Sequence, residues 1–248
     1  MNIVKFTILA VALCCPMVAS ASCVDDLKDI RGADAQTAFK AAKVIANLGA
    51  KCGNTIEYSL ELGSYYIKLK DYDYAARYFK AVIDGDNNAA HLGYLGLGKI
   101  HLHKMEFQRA SEVFSKIVQD YPEWDKGYEH LGIAYVQSEK FKEAIQVLER
   151  GSEINRNNHQ IFRYLGFAYF YISKPEEAIS NFDNAFSLNQ QLLLDKLMII
   201  AASRSYIDIG KFEVAKSLLT ILISNIPEIE NDPQYILAVK YYNDKSGE

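Results

Sequence analysis

The sequence predicts an all-α fold, a solenoid of antiparallel helix pairs, and three observations carry that expectation. A short segment, Leu62-Gly63 followed by Tyr66, Ala75 and Phe79, returns along the chain at a nearly fixed interval. Breaker and capping residues fall between the copies, where one helix must end and the next begin. Half of the 248 residues are apolar, enough to bury a sizeable core.

The second copy is Leu97-Gly98, His101, Ala110 and Phe114, and the third is Leu131-Gly132, Tyr135, Ala144 and Leu148. The fourth is Leu165-Gly166, Tyr169, Ala178 and Phe182, and a weaker fifth is Ala202-Ser203, Tyr206, Ala215 and Leu219. The alanines step by 35, 34, 34 and 37 residues, and Tyr72, Phe107, Phe141 and Phe212 stand three before most of them, with Pro175 in the fourth copy. Two antiparallel helices per copy explain these residue types. Gly63, Gly98, Gly132 and Gly166 let the neighbouring helix approach closely, at a modest cost in helix propensity. The alanines do the same on the second helix, and leucines and aromatics three and four apart complete an apolar stripe. Turns within copies are expected at Lys70-Asp71, Lys104-Met105, Glu139-Lys140, Ser173-Lys174 and Gly210-Lys211. Between copies, Asp86-Asn87-Asn88, Tyr121-Pro122, Asn155-Arg156-Asn157-Asn158 and Ile226-Pro227 break helices or cap the next one.

This pattern resembles the tetratricopeptide repeat, whose period is about 34. The resemblance covers about residues 57–228. It implies a right-handed superhelical solenoid of about five repeats with terminal capping helices and a concave face for ligands. The expected organisation is a leader over 1–21, an N-terminal helical cap or degenerate repeat over 22–55, the repeat array over 56–229, and a C-terminal capping helix and tail over 230–248. The terminal helix is expected over Pro233 to Tyr242, with fraying from Asn243.

Residues 1–21 read as a cleavable signal peptide. Lys5 supplies the positive start, Phe6 to Val18 an apolar run, and Ala19-Ser20-Ala21 a small-x-small site with cleavage after Ala21. The run is shorter than the roughly 20 apolar residues of a permanent span, so no integral membrane segment is expected in the mature chain. Ser20 stands where a lipid-attachment signal before Cys23 needs a Leu-like residue, which disfavours lipidation. A periplasmic or secreted protein is expected. Cleavage leaves Cys23 and Cys52, an even count in an oxidising compartment and natural disulfide partners. Two unpaired thiols, or a lipid on Cys23, are the alternatives.

Removing Lys5 leaves 26 basic residues against 31 acidic ones, a net charge of −5. That balance disfavours nucleic acid, whose affinity comes from cations laid against phosphates. His101 and His103, two apart on a helix, point to nearly opposite faces and do not make a metal pair. No nucleophile elbow, phosphate-binding glycine loop or zinc-protease helix motif is present, and Gly93 to Gly98 falls inside a helix. No catalytic residue, metal or cofactor is expected.

The resemblance places ligand contacts on the first helix of each copy. The partner-binding candidates are Lys99 and His103; Glu129, His130 and Gln137; Arg163, Tyr164, Phe167 and Tyr171; and Arg204. Glu61, Ser64, Lys68 and Asp208 hold similar positions. Tyr164, Phe167 and Tyr171 form one helical stripe with Arg163 beside it, a pairing common at protein-binding hot spots, or else they pack on the following repeat. The expected function is a non-catalytic scaffold or adaptor in a bacterial envelope that binds a protein or peptide on the concave face, in assembly of a pilus, secretion or outer-membrane complex. A carbohydrate or peptidoglycan-associated module is the alternative. The sequence leaves the oligomeric state open.

Overall fold

The computed structural model describes residues 55–85 and 88–247. The leader, nearly all of the 22–55 cap, the Cys23–Cys52 pairing and the capping role of Asp86-Asn87 lie outside the described residues. Those described are entirely helical outside their turns. The chain divides into two compact units between Lys104 and Met105.

The first unit contains α1 (Ile56–Lys68), α2 (Tyr72–Gly85) and α3 (Ala90–His103). Thr55 starts α1, its Oγ1 accepting the Tyr58 N–H at 3.2 Å. Ala75, Phe79 and Ile100 form the centre of its core, with Tyr66 and Leu97 packed around them. A Cβ on Gly63 would lie 2.6 Å from the Phe79 ring, so the missing side chain is what lets α1 and α2 meet there.

The second unit contains α4 (Phe107–Asp120), α5 (Asp125–Gln137), α6 (Phe141–Ile154), α7 (His159–Tyr171), α8 (Pro175–Leu188), α9 (Lys196–Asp208), α10 (Phe212–Asn225) and α11 (Pro233–Ser246). Each helix packs on the next, as a solenoid of helical repeats requires. The first helices α5, α7, α9 and α11 also touch in sequence and so lie side by side. The glycine rule holds here as well: Gly132 abuts Leu148 and Gly166 abuts Phe182.

The turns inside the copies share one geometry. Lys70, Met105, Glu139, Ser173 and Gly210 all have positive φ, between 58 and 75°. The N–H groups of Asp71, Lys140, Lys174 and Lys211 then bond back to the carbonyls of Tyr66, Tyr135, Tyr169 and Tyr206 at 2.9–3.0 Å. These four are left-handed helix ends of the Schellman type, and of the five positive-φ positions four are occupied by residues other than glycine.

The 37-residue steps have a local cause. Short 3-10 turns over Gln190–Leu194 and Pro227–Asn231 precede α9 and α11. They bury Leu192 and Ile229, themselves 37 apart, and lead into the caps Asp195 and Asp232. Asp195 Oδ1 accepts the Met198 N–H at 3.1 Å, and Asp232 Oδ1 accepts the Gln234 N–H at 2.9 Å.

The terminal helix is longer than the sequence predicts. It runs through the segment expected to fray and stops at Gly247, whose φ of 80° closes the end. It repeats the register of α9, with Lys240 where Ser203 and Gly166 stand in earlier copies. Among the described residues, no helix is long and apolar enough to cross a membrane.

Candidate binding groove on the first helices

Three first helices of the second unit build a groove of about 390 Å³. Helix α9 contributes Leu197, Ile200 and Arg204, and α11 contributes Gln234, Leu237 and Tyr241 at the same offsets one 37-residue step later. Helix α7 closes the other side with Phe167, Phe170 and Tyr171. The i, i+3, i+7 spacing on α9 and α11 sets these side chains on one face of each helix. Solvent reaches the apolar lining: Tyr171 is 55%, Leu197 47% and Leu237 65% exposed.

One cation stands among these walls. The Arg204 guanidinium lies 5.3 Å from the Phe170 ring centre and 5.5 Å from that of Tyr241, within cation–π range of both. The Tyr241 hydroxyl donates to Asp208, one turn further along α9, and this bond, followed by burial, pushes the Tyr241 phenol above its ordinary pKa while Arg204 opposes the shift. Tyr171 stacks on Phe141 with ring centres 4.8 Å apart, which fixes the groove's far edge. The titratable groups among the lining are Arg204, Tyr171 and Tyr241, so the groove offers contact area and a positive charge rather than a general base. Among the described residues, no cluster of His, Cys, Asp and Glu is arranged to hold a metal.

Of the sequence candidates, the structure brings Phe167, Tyr171 and Arg204 together in this groove. Arg163 and Tyr164 sit beside it, engaged within the protein. Arg163 pairs with the α9 cap Asp195 and lies over the Tyr164 and Phe167 rings at 4.9 and 5.3 Å. Glu129 is buried and accepts from Lys126 at 2.6 Å and from the α7 cap Asn158 at 2.7 Å. His130 is buried too, with Nδ1 3.1 Å from the Lys126 carbonyl oxygen and its ring 5.5 Å from Phe114. Gln137 is exposed at the end of α5. In the first unit, Lys99 is half-buried on α3 and His103 stacks near Tyr72 at 6.4 Å. Sequence reasoning missed Phe170, Leu197, Ile200, Leu237 and Tyr241. Sliding the α9 pattern forward by 37 residues would have found the last two.

Two family models, both described as tetratricopeptide repeat, match residues 60–123 and 126–158. Among solved structures, the chain is similar to PilW, a widely conserved type IV pilus biogenesis factor, at 17% identity over 90% of this chain and 98% of that one, with a TM-score of 0.70. It is similar to TTC0263, a thermophilic TPR protein of Thermus thermophilus, at 19% identity over 75% and 99%, with a TM-score of 0.57. YrrB, a TPR protein with an unusual peptide-binding site, shares 18% identity over 79% and 97%, with a TM-score of 0.56. At these identities the likeness is one of fold. No curated protein sequence matches the chain. The recurring glycine contacts, the left-handed turns and the two family matches agree: the chain is a tetratricopeptide-repeat protein.

Proposed function

We propose that this protein is a non-catalytic scaffold of the bacterial envelope that holds a protein or peptide in the groove between α7, α9 and α11. The observation that carries the reading is the groove itself. Large apolar side chains, Tyr171, Leu197 and Leu237, stand exposed on three adjacent helices around a single arginine. Exposed apolar surface costs solubility, so a concave patch of it with a few polar groups is best explained by a ligand that covers it. An envelope location rests on the leader reading of residues 1–21, and assembly of a pilus, secretion or outer-membrane complex is the process that compartment and fold together favour.

The test is crosslinking and affinity capture of the tagged full-length protein from the envelope fraction of its own cells, beside the Leu237→Glu variant. Stoichiometric capture of a protein by the wild type, lost in the variant, is the expected result. Undiminished capture by the variant refutes the groove as the site. Recovery of cell-wall glycan alone would support the carbohydrate-binding alternative, for which the exposed ring of Tyr171 beside Phe170 and Tyr241 supplies a stacking surface.

A further inference from the structure

We infer that the groove selects protein segments carrying an acidic side chain within one helical turn of a large apolar anchor, with the acid seated on Arg204. The inference rests on the reading of the groove as a peptide site and adds the chemistry of its occupant.

Two arginines of this region share an aromatic setting and differ in what completes it. Arg163 lies against Tyr164 and Phe167, and its charge is met inside the protein by Asp195. Arg204 lies between Phe170 and Tyr241, is exposed, and among the described residues has no carboxylate within 4.0 Å. The nearest acid along its own helix, Asp208, takes the Tyr241 hydroxyl instead. A guanidinium carries five in-plane N–H donors and stays charged at every accessible pH. Rings on two sides restrict its rotamers, so little entropy remains to be lost when a carboxylate arrives. The exposed apolar groups Leu197, Leu237 and Tyr171 complete a site that suits an apolar anchor and one negative charge. An anchor next to a cation complements the groove less well, because Arg204 is the charged group among its walls.

The experiment is selection from a random peptide display library on the purified protein, with Leu237→Glu as the blocked-groove control. Enriched peptides are expected to place Asp or Glu three or four positions from an aromatic or large aliphatic residue. A resynthesised peptide should bind the wild type at least tenfold tighter than Arg204→Gln, with Arg204→Lys between the two. Changing the peptide's own Glu to Gln should cost the same factor on the wild type and nothing further on Arg204→Gln. That peptide-side change tests the contact on an unaltered protein, so a folding defect in the variant does not cloud the result. Peptides blocked by Leu237→Glu but indifferent to Arg204→Gln would overturn the acidic preference and leave the groove reading intact. Peptides indifferent to both, or no enrichment above the control, would overturn the groove reading itself. Concentration-dependent dimers abolished by Leu237→Glu would assign the groove to a second copy of the chain and overturn the inference.

Discussion

Arg163 donates through Nε to Oδ2 of Asp195 at 2.8 Å, while the other oxygen of that carboxylate caps α9 by accepting the Met198 N–H. One acid therefore fixes the start of a helix and fastens it to the preceding first helix. Both side chains are mostly buried, at 16% and 21% exposure, so removing one strands the other away from full hydration. Arg163→Ala is expected to lower stability by about 1–3 kcal/mol, read as a fall in urea midpoint with helicity preserved at zero denaturant. Adding Asp195→Asn, which keeps a capping oxygen, should restore part of the loss. A double mutant no better than Arg163→Ala would mean that the pair is not coupled.

The same arrangement explains which parts of the site could be read in advance. Glu129 and Arg163 occupy the same register, three residues before Gly132 and Gly166, and in sequence both look like free polar groups on a ligand-facing helix. Each instead meets the cap of the next first helix, Asn158 or Asp195, 29 or 32 residues downstream. Helical spacing does not encode that contact, because it depends on how consecutive first helices are offset. Arg204 stands four residues further along that register and escapes it. Leu237 and Tyr241 are hidden for another reason: the sequence predicts a terminal helix that covers the array, rather than one that continues the face of α9. The fold was legible because it rests on a steric demand that recurs in the first, third and fourth copies. Gly63 with Phe79, Gly132 with Leu148 and Gly166 with Phe182 are the same contact, each spanning sixteen residues.

That contact predicts opposite outcomes for two similar substitutions. Gly166→Ala would drive a methyl into the fully buried Phe182 ring, and the strain should exceed the gain of about 1 kcal/mol in helix propensity. A net loss of about 1–2 kcal/mol is expected. Gly85→Ala, with open space around the new methyl, should instead gain up to about 0.5 kcal/mol. Thermal melts distinguish them, since about 1 kcal/mol corresponds to about 2–4 °C for a domain of this size. Equal shifts would sink the close-approach argument.

The left-handed turns make a prediction of the other sign. Glu139 and Ser173 hold φ values of 61° and 58°, where a Cβ crowds the following carbonyl. Glu139→Gly and Ser173→Gly should each stabilise the protein by about 0.5–1 kcal/mol, and Gly210→Ala should destabilise it by a similar amount. Glycine variants that melt lower than wild type would show that the Glu139 or Ser173 side chain makes contacts outweighing its backbone strain.

A buried hydroxyl supplies a fourth stability test. Ser203 is fully buried at the register position held by glycine in earlier copies, and among the described residues its Oγ has no hydrogen-bond partner. Ser203→Ala keeps the Cβ and removes an unsatisfied polar atom, so a gain of about 1 kcal/mol is expected in chemical denaturation. A loss would point to a partner for Oγ in solution, such as a bound water.

Successive copies are also joined by tyrosine–carboxylate bonds. Tyr169 donates to Glu149 at 2.6 Å and Tyr206 donates to Asp183 at 2.8 Å. The second pair is three residues further apart in sequence, as the longer step predicts. Burial first, then the Glu149 carboxylate, pushes the Tyr169 phenol up to about 12. A phenol whose pKa is raised by folding stabilises the native state fully below its unfolded value of about 10, and that contribution fades as pH rises through the folded value. Ultraviolet difference titration should therefore find one tyrosine ionising near 12 that disappears in Tyr169→Phe. Glu149→Gln should bring the Tyr169 phenol part of the way down, leaving the share due to burial. At neutral pH, Tyr169→Phe should cost about 0.5–1.5 kcal/mol, and its stability should fall less steeply than that of the wild type between about pH 10 and 12. Equal alkaline slopes in the two proteins would show that the Tyr169–Glu149 bond does not join the repeats in solution.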